Sequence, residues 1–149
     1  MTDPRMFPDR PYLAVSAAII REGRVLIARR AKGASTGAFT LPGGVVEAGE
    51  TLHQAIVREV REETAIAVEP IALAGQREFI TRDADGRVSR HFVILCFACR
   101  WLAGEGTPLL EELSELRWLE PGEINGLKTT TEGLAEIVAS AFALIDAPR

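Results

Sequence analysis

Apolar positions run almost unbroken through residues 12–20 (YLAVSAAII), break at Arg21, Glu22 and Gly23, and resume through residues 24–30 (RVLIARR). Two β-rich runs joined at a glycine predict a hairpin. In the second run Val25 and Ile27 alternate with Leu26 and Ala28, so both faces are apolar, the pattern of a strand covered by helices on each side of a sheet. Residues 32–38 (KGASTGA) form a Gly/Ser/Thr loop, and Phe39, Thr40 and Leu41 form a short extended piece with Phe39 turned to the core. The period then lengthens: Leu52, Ile56 and Val60 make one stripe of a helix that begins at Glu50 or Thr51, with acids near its positive end, and runs to about Thr64. Residues 68–75 and 76–81 read as extended, Arg82 to Gly86 (RDADG) as a turn, and residues 87–101 as the longest strand, giving an antiparallel arm. Residues 103–110 are a loop and 116–119, with Trp118, a last short strand. Thr129 and Glu132 have capping-box spacing and open a helix with the stripe Leu134, Ile137, Val138, Ala141 and Ile145. Strands on both sides of one helix, closed by another, predict an α/β fold, an α/β/α sandwich around a mixed sheet.

Composition narrows the function classes. With 149 residues, 47% of them apolar, and no repeat or linker, the chain is expected to form one domain over 1–149. A net charge of −4 does not suit a protein that neutralises the phosphates of duplex nucleic acid, or a basic RNA track. Small anionic substrates remain possible, because a bound divalent metal reverses the local field. The apolar run 13–20 is too short to span a bilayer and follows a polar, Pro-containing segment (1–10) rather than a basic leader, so a soluble, cytoplasmic protein is expected. Cys96 and Cys99 form a C-x-x-C, but in a strand residues three apart face opposite sides of the sheet, and no second cysteine pair exists. Two buried, unpaired thiols are expected, not a zinc or redox site.

Chemistry enters with Glu59, Glu62 and Glu63, spaced by three and four along the first helix. At about 100° per residue, Glu59 and Glu63 point within roughly 20° of Leu52, so acids continue the line along which the helix buries apolar side chains. Carboxylates on a half-buried face repel one another and lose hydration, which is costly unless a cation or strong donors neutralise them. An all-oxygen set of this hardness favours Mg²⁺, with Mn²⁺ as a close substitute. Just upstream, Pro42 interrupts any strand, and Gly43 and Gly44 let the backbone turn tightly with its carbonyls exposed, one of which can join the metal. A solvated charged helix would account for many Glu and Arg residues, but not for a glycine turn at this distance before them.

Residues 44–66 resemble the signature box of the Nudix hydrolases, G-x5-E-x7-R-E-U-x-E-E-x-G-U with U aliphatic: Gly44, Glu50, Arg58, Glu59, Val60, Glu62, Glu63 and Ile66 fill it. Ala65 replaces the final glycine, which leaves the helix end in question: alanine either adopts a left-handed conformation at about 1 kcal/mol or lets the helix run on. The resemblance implies the α/β/α fold and hydrolysis of a pyrophosphate bond in a nucleoside diphosphate linked to another group. It implies that Glu59, Glu62 and Glu63, assisted by the Gly44 carbonyl, hold one to three Mg²⁺. Glu59 or an acid from the loop before the last strand would deprotonate water, Glu112 first, with Glu111 and Glu115 behind it; a solvated acidic loop is the alternative. Arg58 and Glu50 are read as supports of the site, the planar guanidinium bracing the carboxylate. Arg29, Arg30 and Arg77 are candidates for substrate phosphate; a solvated strand end is the plainer account of Arg29 and Arg30. The arm carrying Arg77, Glu78, Arg90 and His91 can touch a substrate or a second subunit, or be a plain surface hairpin. His53 is expected to be an ordinary surface residue. ADP-ribose is the favoured substrate from the likeness of the arm to small ADP-ribose pyrophosphatases. The alternatives are an oxidised nucleoside triphosphate, or a non-catalytic sensor of a nucleotide sugar. A homodimer is expected from the habit of the family.

Overall fold

The computed structural model describes residues 3–33, 35–109 and 111–146. The expected 32–38 loop, the 103–110 loop, the segment 1–10 and the domain span 1–149 each include a residue outside these. A mixed sheet is built around β1 (Tyr12–Arg21), which pairs parallel with β6 (Val88–Ala103) from Tyr12↔Phe92 to Ile20↔Arg100. On the other side of β1 lies β2 (Arg24–Arg30), joined by the expected hairpin, with Gly23 at φ +79°. β2 carries β3 (Phe39–Thr40) and β7 (Leu113–Leu119), and β4 (Gly43–Val45) pairs with the start of β1. β5 (Ala67–Arg82) forms the far edge against β6.

Residues 14–20 of β1 and Val25 to Ala28 of β2 are buried on both faces because a helix covers each side. α1 (Leu52–Thr64) sets Ala55, Ile56 and Val60 against Val15, Ala17, Ile19, Leu26, Phe97 and Cys99. α2 (Leu134–Asp146) sets Leu134, Ile137, Val138 and Ala141 against Ala18, Ile20, Val25, Ile27, Cys96 and Ala98. Each fully buried Ile or Val contributes about 1.5–3 kcal/mol. The sandwich is the one the hydrophobic pattern predicts, and the two thiols fall on opposite faces, both free and buried.

Several boundaries differ. The two extended pieces after α1 are one strand, β5, kinked by irregular pairing between Pro70 and Ala72 and between Leu73 and Gly75. β7 starts at Leu113 because residues 113–116 pair with β2, and a 3₁₀ turn (Pro121–Gly126) follows it. Thr129 and Glu132 do not open the last helix: Thr129 O accepts from Phe39 N at 2.8 Å and Thr131 N donates to Phe39 O at 3.0 Å. The free edge of β3 thus claims this backbone, and α2 begins at Leu134. The first turn of α1 holds no acid: Thr51 caps it in a reciprocal box with Gln54, and Glu50 stays outside the helix. Ala65 takes the left-handed conformation (φ 63°, ψ 15°) and ends the helix at Thr64, so the helix does not run on. Among the described residues no helix is long and apolar enough to cross a membrane.

Candidate active site

The glycine turn and α1 meet where β1 and β2 separate. Gly43 and Gly44 lie across β1, opposite Ser16 and Val15. A Cβ at Gly43 would stand 2.0 Å from the Val15 carbonyl oxygen, so only glycine lets β4 cross there. A Cβ at Gly44 would stand 2.4 Å from Cδ of Glu59, so the backbone of the turn rests directly on a carboxylate of the helix. The stripe predicted from the sequence delivers the acids to this point: Glu63 is 5% exposed, the Glu59 side chain 15% and that of Glu62 52%.

Burial pushes the Glu63 carboxyl up to about 8, the neighbouring charges of Glu59 and then Glu112 add to the rise, and an N–H bond from Gly43 opposes it. The charge of Glu112 is therefore felt at the helix acids although 49 positions separate it from Glu63 in sequence. Two backbone bonds tie its loop to the helix end, Leu109 N to Glu63 O and Thr107 N to Thr64 O, both 2.9 Å, and Ala31 N donates to Glu112 O at 2.8 Å. The other two loop acids are engaged elsewhere. Glu111 pairs with Lys32 at 2.8 Å, and Glu115 pairs with Arg117 and Arg29.

Arg58 holds the frame. Its guanidinium forks onto Glu50, with Nη2 2.8 Å from Oε1, while Nη1 donates to Glu59 at 2.8 Å and Glu62 at 3.2 Å, and Nη2 donates to the Val45 carbonyl at 3.1 Å. These bonds from Arg58, with a backbone N–H from Glu47, pull the Glu50 carboxyl down to about 2, and Glu50 with Glu59 raises Arg58 further above its ordinary range. Among the described residues no three acidic, histidine or cysteine side chains are gathered into a metal-enclosing group; Arg58 bridges Glu59 and Glu62 instead. The donor set nevertheless fits a hard divalent cation: four carboxylates and the backbone of a glycine turn, all oxygen, with one acid buried and short of positive charge.

On the opposite face of the sheet from α1, next to the same glycines, a cavity of about 250 Å³ opens. Arg30 and Arg77 line it together with Arg90 and Arg5, which the sequence did not single out for phosphate. Arg29 does not: it bonds the Gly37 carbonyl at 3.3 Å and Glu115 at 3.4 Å and lies 5.4 Å from the Phe39 ring centre. Phe39 is buried in the core, as expected. His53 is exposed on α1 and packs edge-on to Phe97 at 5.5 Å. Arg90 shares the inner face of the arm with Arg77, and strict alternation along β6 was the signal that could have found it.

Residues 10–141 match the NUDIX domain family. The chain belongs to the Nudix hydrolases. Over 99% of its length it is 36% identical to a MutT-like protein of Streptomyces ambofaciens, covering 84% of that protein. Over 64% of its length it is 35% identical to an ADP-ribose pyrophosphatase of Methanocaldococcus jannaschii, of which the match spans only 54%. Its fold is similar to the crystal structure of a MutT NUDIX hydrolase from Burkholderia pseudomallei, with a TM-score of 0.76 and 26% identity over 89% of this chain and 98% of that one. Nudix hydrolases use divalent metals, in keeping with the oxygen donors at the glycine turn.

Proposed function

We propose that this Nudix domain is a Mg²⁺-dependent pyrophosphohydrolase that cleaves the anhydride of a nucleoside diphosphate linked to another group, with an ADP-ribose-like substrate favoured and Mn²⁺ able to replace Mg²⁺. The observation that carries this is Glu59 resting on the Gly44 backbone beside the buried Glu63, which takes a bond from the Gly43 backbone and, among the described residues, has no ion pair. Glu59, Glu62, Glu63 and the Gly44 carbonyl would hold the ion. When bound, the ion neutralises the diphosphate and acidifies a water. Glu59 or Glu112 accepts the proton of the attacking water. Arg58 and Glu50 fix the direction of Glu59 and Glu62 through the bonds described above. Arg30 and Arg77 line the neighbouring cavity and hold substrate phosphate there.

The likeness to an ADP-ribose pyrophosphatase supports the substrate. Incubation with Mg²⁺ and a panel of ADP-ribose, NADH, dinucleoside polyphosphates and oxidised dGTP tests it, with products resolved by chromatography. ADP-ribose should yield AMP and ribose 5-phosphate; absence of turnover for every member would end the enzymatic proposal.

A further inference from the structure

Residues 104–109 cross the C-terminal end of α1, and every one of them except Gly106 is exposed. No buried side chain therefore anchors this strap, yet its backbone closes the helix: Thr107 N and Leu109 N donate to Thr64 O and Glu63 O, both at 2.9 Å. Those carbonyls belong to the last turn, where a helix leaves them without partners of its own. The bonds require a close approach. Gly104 and Gly106 take φ +99° and +95°, and a Cβ at Gly104 would stand 2.8 Å from Ala65 O. An exposed segment with so little apolar burial opens readily unless something else holds it.

Three strand ends supply the hold. Trp101 of β6 donates its indole N–H to Gly104 O at 2.6 Å, and Trp118 of β7 donates to Glu105 O at 3.2 Å. Arg21, the last residue of β1, forks onto the Glu105 carboxylate at 3.1 and 3.2 Å. Its guanidinium lies 3.9 Å from the Trp101 ring centre and 5.7 Å from that of Trp118, and both indoles pack against the core under α1. Two consecutive carbonyls and one side chain of the strap are thus gripped from the sheet by planar groups whose donors point in fixed directions. Beyond Leu109 the chain runs to Glu112, whose carbonyl accepts from Ala31 N at 2.8 Å. One short segment therefore links the clamp to Glu63 through the helix end and to Glu112 along the chain.

We infer that Arg21, Trp101, Trp118 and Glu105 are positioning residues of the hydrolase, which clamp the strap onto α1 and thereby fix where Glu63 and Glu112 stand relative to each other. This rests on the proposed hydrolase function and adds a support remote from the glycine turn. Arg58 bonds Glu50, Glu59 and Glu62; the strap serves the two acids that this frame leaves out. Misplacing a reacting group by about 1 Å costs up to about a hundredfold in rate, so a clamp outside the site has leverage on turnover.

The test combines amide hydrogen exchange, read by NMR in EDTA, with steady-state kinetics on the same panel of compounds and Mg²⁺. Trp118→Phe removes one N–H and keeps a ring. Its Thr107 and Leu109 amides should exchange about tenfold faster than in wild type, while those of β1 change far less. Glu105→Ala, at a side chain 84% exposed, leaves the fold intact and should speed the same two amides about two- to fivefold, with Glu105→Gln closer to wild type. In Trp118→Phe kcat should fall about tenfold at unchanged KM, and in a Glu112→Gln background the same substitution should cost no further kcat. Unchanged exchange at both amides in Trp118→Phe and Glu105→Ala overturns the clamp. Faster exchange with wild-type kcat, or an equal loss of kcat with and without Glu112, overturns the positioning role. If no compound is turned over, the hydrolase proposal falls, whereas the exchange rates still support or overturn the clamp on their own.

Discussion

The backbone of Gly44 lies so close to the carboxylate of Glu59 that a methyl group at position 44 would come within 2.5 Å of both carboxylate oxygens. The obstacle is the far end of a flexible side chain, so Gly44→Ala should fold, with Glu59 displaced from the turn and from Arg58. Turnover with Mg²⁺ is expected to fall by about 10–100-fold, the usual penalty for misdirecting a ligand, while far-ultraviolet circular dichroism stays that of the wild type. Wild-type kcat in this variant would mean that the contact between turn and helix has no part in the chemistry.

Arg58 joins Glu50, Glu59, Glu62 and the Val45 carbonyl through one planar group. Lysine keeps the charge but offers a single point donor, so Arg58→Lys can serve only part of this set. Turnover should drop about tenfold or more and the half-saturating Mg²⁺ concentration should rise. Because the Glu50 carboxyl is held down to about 2 against its ordinary 4.5, the stability that the pair contributes is present above about 4.5 and lost only as pH falls towards 2. Acid unfolding of Arg58→Lys should accordingly begin at higher pH than in wild type, which a circular-dichroism titration would read.

Glu63 has the opposite sign. Its carboxyl is raised from 4.5 to about 8, so between those values the folded, metal-free chain retains a proton that the unfolded chain has released. Stability therefore falls as pH rises through this window, by up to about 1.4 kcal/mol per unit, and is flat for this group outside it. Glu63→Gln cannot ionise. In EDTA its urea midpoint should match wild type near pH 4 and exceed it at pH 8, and it should lose the Mg²⁺-dependent stabilisation of the wild type. Parallel curves for the two proteins from pH 4 to 8 would show that Glu63 is not held protonated.

The helix acids were legible because α1 is local: its stripe, its glycine turn and the spacing between them occupy 23 consecutive residues. The arm was legible for the same reason, its RDADG turn closing at Asp83 with Gly86 at φ +84°. The cavity was not. Arg5, Arg30, Arg77 and Arg90 meet only through the parallel pairing of β1 with β6 and the docking of the first segment on Ser89, long-range contacts that leave no period in the sequence. Arg29 and Arg30, adjacent in the chain, go opposite ways because successive side chains of a strand alternate. Among Glu111, Glu112 and Glu115 the sequence put Glu112 first without a partner to separate it from the other two; in the structure Lys32 engages Glu111 and Arg117 engages Glu115.

Ala65 tests how far the signature box reflects folding as well as chemistry. It ends α1 at φ 63° with its N–H bonded to Arg61 O at 3.0 Å, the left-handed closure that the box ordinarily assigns to glycine, and it is exposed with no ligand atom to lose. An alanine in that conformation carries a Cβ penalty of about 1–2 kcal/mol, part of which glycine gives back through its more flexible unfolded state. Ala65→Gly is therefore expected to raise stability by about 0.5–1 kcal/mol, read as a shift of the urea midpoint at unchanged m-value, with kcat and the Mg²⁺ requirement left as they are. Destabilisation would show that the Ala65 methyl group contributes packing that outweighs the strain, and a change in kcat would show that the helix end controls where Glu62 and Glu63 stand.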